Sequence, residues 1–182
     1  MKGNRAALTA IVIIALLIVG WWLFRRGGRS VSVDLLATFP TAEKKPAEGT
    51  FEITEAEING DKKRAIFTMA PTRLTWRVRV PEDAWLKVNL GMRPDAWDKE
   101  GNGVVFHVAV SDGRAYDELF SQHLDPFTNK GDRRWVPVTV DLAQYAGEEV
   151  QVIFFTNSSE NGKPDDRRND MALLGQPEIV IR

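Results

Sequence analysis

The sequence predicts an all-β protein, a two-sheet antiparallel β-sandwich standing behind a single N-terminal transmembrane α-helix. Three observations predict it. Residues 6–24 carry no charge. Later segments alternate apolar and polar residues with the period of a half-buried strand. Gly, Asn, Asp and Pro punctuate those segments, and no amphipathic helix of more than a turn or two lies among them.

Residues 1–5, expected on the cytoplasmic side, contain Lys2 and Arg5 and precede the run "AALTAIVIIALLIVGWWLF" at 6–24. At 1.5 Å per residue this run spans about 28 Å, close to the thickness of a bilayer's hydrocarbon core. Trp21 and Trp22 fall where indoles settle at the interface, and Arg25, Arg26 and Arg29 mark the water beyond. Ala10, Ala15 and Gly20 are small residues suited to close contact with another helix. No histidine lies in the span to ligate haem or chlorophyll. The competing reading is a cleaved signal peptide. Against it, the apolar run exceeds the usual signal core of about 7–15 residues, and no small-x-small cleavage site precedes "WWLFRRGGR".

Flanking charges are nearly tied between the two sides of the span, so orientation is read from the remainder of the chain. Five of the 24 basic residues precede Ser30, whereas none of the 25 acidic residues does. The rest is net acidic. Such a domain is not built to hold nucleic acid or to lie on an anionic inner leaflet. It is expected outside the cytoplasm, with the N-terminus inside. Cysteine is absent, which excludes disulfides, thiolate catalysis and cysteine zinc sites.

Residues 25–49 read as a juxtamembrane segment and linker. "SVSVDLLATF" is short and extended, and "PTAEKKPAEG" has linker composition. The sandwich is expected over 50–182, near the commonest domain size. "FEITEAEI" and "RAIFTMA" open it. "RLTWRVRV" follows, with Leu74, Trp76, Val78 and Val80 on one face and Arg73, Thr75, Arg77 and Arg79 on the other. "AWLKVNLGM" turns Leu86, Val88 and Leu90 inward. Residues 104–111, "YDELFSQ", "RRWVPVTVDL", "EVQVIFFTN" and "PEIVIR" complete about eight or nine short strands, enough for two stacked sheets.

The stretch "GNGVVFHVAVSDGR" at 101–114 holds a serine, a histidine and an aspartate close together. It is nevertheless a strand. Val104, Phe106, Val108 and Val110 alternate with Val105, His107, Ala109 and Ser111, and "SDGR" closes the run as a turn. His107 and Ser111 then lie about 13 Å apart, too far for a nucleophile and its base. The other histidine of the two, His123, sits in no recognisable motif. No P-loop, dinucleotide fingerprint or zinc motif is present, and no enzyme activity or cofactor is expected.

Three stretches, "GNGVVFHVAV" (101–110), "WVPVTVDLAQYAG" (135–147) and "DMALLGQPEI" (170–179), together resemble the galactose-binding-like jelly rolls of bacterial glycosidases, sulfatases and cell-surface proteins, including carbohydrate-binding modules. The resemblance covers 51–182. It implies a jelly-roll fold and a bacterial surface protein, here in the inner membrane with the domain periplasmic. Where such relatives often carry aromatic residues in the last motif, this sequence has Met171, Leu173 and Leu174. Asp141 and Gly147 read as turn residues, and Pro177 as the start of an edge strand.

Sugar binding needs an exposed aromatic with amides or carboxylates near it. Trp97, Tyr116 and Trp135 are the aromatic candidates, with His107, Asn157, Asp95 and Asp98 as polar partners. The competing reading has Trp97 and Trp135 packing loops against the sandwich. A calcium site is conceivable at Asp165, Asp166, Asn169 and Asp170, but Arg167 and Arg168 interrupt it and the spacing is not that of an EF-hand. Glu148 and Glu149 read as surface residues. Two functions follow. The first is a non-enzymatic accessory subunit of a larger membrane complex, its helix packed against other membrane subunits in lipid and its sandwich docking partners. The alternative is a membrane-tethered carbohydrate-binding module.

Overall fold

Antiparallel strands hold most of the residues described by this computed structural model, which are 31–158 and 166–181. In chain order they are β1 (Val31–Asp34), β2 (Glu43–Lys45), β3 (Phe51–Ile58), β4 (Asp61–Met69), β5 (Thr72–Arg79), β6 (Ala84–Met92), β7 (Val104–Ser111), β8 (Tyr116–Leu124), β9 (Val136–Asp141), β10 (Glu149–Asn157) and β11 (Met171–Ile181). One sheet runs β3-β4-β11-β6-β9, with β1 paired to the later part of β11. The other runs β2-β5-β10-β7-β8. Short 3-10 turns occupy some of the connections. This is the two-sheet antiparallel sandwich that the alternation predicts.

The strands stack because every second residue is apolar. Leu74, Trp76 and Val78 of β5, Val152 and Phe154 of β10, and Phe106 and Val108 of β7 face Ile66, Leu86, Val88, Leu90, Val138 and Leu174 across a continuous core. Trp76 meets Phe154 edge to face, with centroids 5.8 Å apart. Each such buried side chain contributes about 1.5–3 kcal/mol against exposure.

A second apolar cluster sits on the outer face of the six-stranded sheet. Trp135 packs there with Ala56, Ile58, Ala65, Phe67 and Leu173. The β3–β4 hairpin reaches it through a tight Asn59-Gly60 turn, with φ of 53° and 81°, the pairing that a two-residue type I′ loop requires. Asn59 Nδ2 donates to the Arg133 carbonyl at 2.6 Å, pinning the hairpin tip.

Three expectations change. The compact unit begins at Val31, not Thr50. Leu35, Leu36, Phe39 and Ala42 are buried in the main core, and β2, from the stretch read as linker, pairs with β5 as an edge strand. Pro177 does not begin an edge strand. It lies within β11, at a register shift between Gly175 and Glu178 where a missing N–H is tolerated. The strand read from Arg133 starts at Val136, because Arg133 and Arg134 belong to a turn. Among the described residues no helix is long and apolar enough to cross a membrane. The predicted span at 6–24, with Ala10, Ala15, Gly20, Trp21, Trp22, Arg25 and Arg26, lies outside them.

Candidate functional site

The outer face of the five-stranded sheet holds the polar and aromatic groups that the core excludes. Strand register sets them in rows. Phe155 of β10 stands between Arg73 of β5 and His107 of β7. The imidazole of His107 stacks on the Phe155 ring at 4.1 Å and 2° between planes, and the Arg73 guanidinium carbon lies 5.4 Å from the ring centroid on the β5 side. The result is a row across three strands in which His107 stacks on Phe155 and the Arg73 guanidinium lies over the same ring.

His107 is held at both nitrogens. The amide of Asn157 lies 3.2 Å from Nε2, and a carboxylate oxygen of Glu118 lies 3.2 Å from Nδ1. An amide nitrogen only donates, so Nε2 accepts, and Nδ1 carries the proton toward Glu118. Burial lowers the pKa of His107 below the usual imidazole value, and the Glu118 charge and hydrogen bond oppose that shift. The ring is therefore neutral at pH 7.

Tyr116 lies on the same face. Its row and that of Phe155 are separated by the buried residues Thr75, Ile153 and Ala109. Across that row the two rings come within 6.4 Å, tilted by 49°. Tyr116 remains 47% exposed, the most exposed large aromatic among the described residues. Burial raises its pKa, Arg73 lowers it and Glu118 raises it, so both charged groups act on the phenol. Next to Ser111, the register partner of Tyr116, a polar cavity of about 160 Å³ is lined by Arg77, Asp112, Glu149 and Gln151. Chemically the face offers a phenol, an amide, a carboxylate, a guanidinium and a neutral imidazole. Ser111 Oγ is not turned to His107 but donates to the Ala115 carbonyl at 2.7 Å.

The structure thus brings Tyr116, His107 and Asn157 together and separates them from Trp97 and Trp135. Trp135 is only 7% exposed and donates through Nε1 to the Asp61 carbonyl, so it is a packing residue and no sugar platform. Trp97 is half-buried. It donates to the Met92 carbonyl at 3.0 Å and lies under Arg133, which also binds Asp98 at 2.8 Å. Asp95 pairs with Arg93. His123 lies 2.6 Å from the Asn102 carbonyl, at the far end of β8.

Of the calcium candidates, Asp166 is gripped by Arg168 through two hydrogen bonds of 2.9 and 2.7 Å, which lower its pKa to about 2. Asn169 donates to the Glu100 carbonyl, and Asp170 is fully buried. Asp165 lies outside the described residues. Among the described residues no three acidic or histidine side chains converge as metal ligands. The Asp166 carboxylate is thus already paired with a cation, the Arg168 guanidinium.

Sequence reasoning missed Arg73, Phe155 and Glu118 as members of the site. The alternation does put Arg73 and Phe155 on the outward side of their strands, which is the available signal. Glu118 had none, because a register shift between Val108 and Ala109 decides that it faces Ala109.

No family model matches the chain. An uncharacterized protein of Archaeoglobus fulgidus is 38% identical over 103 residues, covering 56% of this chain. The chain spans 25% of that relative's length. Among solved structures, the M60 catalytic domain with the CBM51-1 and CBM51-2 domains of Clostridium perfringens ZmpB is similar at a TM-score of 0.55 and 15% identity, over 76% of this chain and 14% of that one. The CBM22-2 xylan-binding domain of Paenibacillus barcinonensis Xyn10C is similar at 0.52 and 9% identity, over 82% of this chain and 97% of that one. At such identities the likeness is one of fold: this domain has the β-sandwich architecture seen in carbohydrate-binding modules.

Proposed function

We propose that this protein is a non-catalytic carbohydrate-binding module carried on a membrane anchor, with the sheet face around Tyr116 as its sugar site. The observation that carries the reading is the convergence of Tyr116, His107, Glu118, Asn157 and Arg73 on one face of a sandwich whose fold is shared with such modules. An exposed aromatic ring accepts the C–H face of a pyranose, and a surrounding amide, carboxylate and guanidinium pair with its hydroxyls. The anchor rests on residues 6–24, with the N-terminus cytoplasmic and the domain outside. The accessory-subunit reading draws on that anchor alone, whereas sugar binding draws on both the fold and the face.

Glycan arrays probed with the full chain in mild detergent test the reading. A glycan ligand is expected, and Tyr116→Ala should weaken its binding about tenfold or more through loss of the stacking surface. Binding to no glycan, or binding indifferent to Tyr116, overturns it.

A further inference from the structure

The sugar face carries more cationic character than a neutral ligand uses. Every outward side chain of β5 except Thr75 is an exposed arginine: Arg73, Arg77 and Arg79. The acids around them keep their charge, but each already accepts a hydrogen bond or ion pair of its own. Glu43, opposite Thr75 in the β2–β5 register and within reach of the Arg73 and Arg77 charges, pairs with Lys45 at 2.9 Å. Glu118 accepts from His107, and Asp112 accepts from the backbone amides of Arg114 and Ala115 at 2.7 Å each. Glu149 stands opposite Arg79 in the β5–β10 register, two positions beyond Arg77 and farthest from Arg73. No ion pair joins Arg73 to a described residue. Its guanidinium is positioned by the Phe155 ring instead, beside the exposed ring of Tyr116. A cation–π contact uses none of the guanidinium's five N–H donors, and that planar fork matches the paired oxygens of a carboxylate or sulfate.

We infer that the ligand is an anionic glycan, with one sugar ring on Tyr116 and the acidic substituent of that sugar or its neighbour on the Arg73 guanidinium. The inference rests on the sugar-binding reading and specifies its ligand class. Carboxylate and sulfate share the chemistry that Arg73 recognises, so the source of the anion is an outcome of the test.

Binding isotherms of the full chain in mild detergent would compare polygalacturonate with its methyl ester, and dextran sulfate with dextran. The charged member of at least one pair should bind about 10- to 100-fold tighter, the range expected for a charge-assisted hydrogen-bond pair. The pair that discriminates identifies carboxylate or sulfate. The preference should shrink as salt is added. Arg73→Gln, an exposed change, should abolish the preference: the charged member should lose about 10- to 100-fold in affinity, and the neutral member, which loses only a guanidinium–hydroxyl contact, far less. Lys62→Gln, on the other sheet, should leave the preference unchanged. Equal binding of charged and neutral members, survival of the preference in Arg73→Gln, or an equal loss in Lys62→Gln overturns the inference while the sugar-binding reading stands. Failure of every polymer and every arrayed glycan to bind overturns both.

Discussion

The indole Nε1 of Trp135 donates to the carbonyl oxygen of Asp61 at 3.0 Å, tying the segment before β9 to the β3–β4 hairpin across 74 positions of sequence. The ring lies over Gly91 and Gly175, where an added Cβ would come within 3.0 Å of it. Trp135→Ala empties this cluster and should lower unfolding free energy by about 3–5 kcal/mol. Gly175→Ala overpacks it and should cost about 1–3 kcal/mol. Urea denaturation checks both. Protein that remains folded should keep its glycan affinity, since Tyr116 and Trp135 serve different sheets.

Gly60 and Gly103 both adopt positive φ, 81° and 75°, yet their surroundings differ. Nothing lies near a Cβ on Gly60, whereas one on Gly103 would sit 2.2 Å from the Leu124 carbonyl oxygen. Gly60→Ala should therefore cost only the left-handed backbone penalty, about 1 kcal/mol. Gly103→Ala adds a backbone clash where the loop enters β7, and should cost about 3 kcal/mol or more. Equal destabilisation of the two variants would contradict the geometry.

The chain has two tyrosines, and both resist ionisation. Burial, with the hydrogen bond and charge of Asp117, pushes Tyr145 up to about 12, and its hydroxyl donates to Asp117 at 2.9 Å. The folded pKa lies above the unfolded value of about 10, so the stabilisation is complete below about pH 10 and is lost as pH rises through about 12. Ultraviolet titration should show no tyrosinate of ordinary pKa. Tyr145→Phe should cost about 1 kcal/mol at pH 7 and blunt the alkaline loss of stability.

His107 sets the acid side. Its folded pKa lies below the usual imidazole value, chiefly through burial. As pH falls through about 6.5 the unfolded chain takes up the proton first, so stability declines between that pH and the lower folded pKa. Denaturation at pH 7.5 and pH 5 should show this loss in the natural chain and a smaller one in His107→Gln. Proton NMR should follow the His107 titration directly. A His107 that titrates above the usual value would reverse the sign.

Much of the sandwich was legible in the sequence because a strand's period of two is a local property. "RLTWRVRV" declares an inward row of Leu74, Trp76 and Val78 and an outward row of arginines without reference to any neighbour. Turns were equally local. Gly147 takes a φ of 78°, and Asp141 caps the turn by accepting from the Ala143 amide. The span at 6–24 is an expectation from composition and lies outside the described residues.

Alternation says which way a side chain points and nothing about which strand lies beside it. Tertiary pairing put Arg73 and His107 on either side of Phe155, and a register shift in the β7–β8 pair delivered Glu118 to the same face. It buried Leu35, Leu36 and Phe39, whose segment has no strand period to advertise a core role. It also turned Trp135 from a candidate sugar platform into packing, by setting two distant glycines beneath its ring. Direction is encoded residue by residue, whereas adjacency follows from the free energy of closing both sheets around one core, to which every strand contributes.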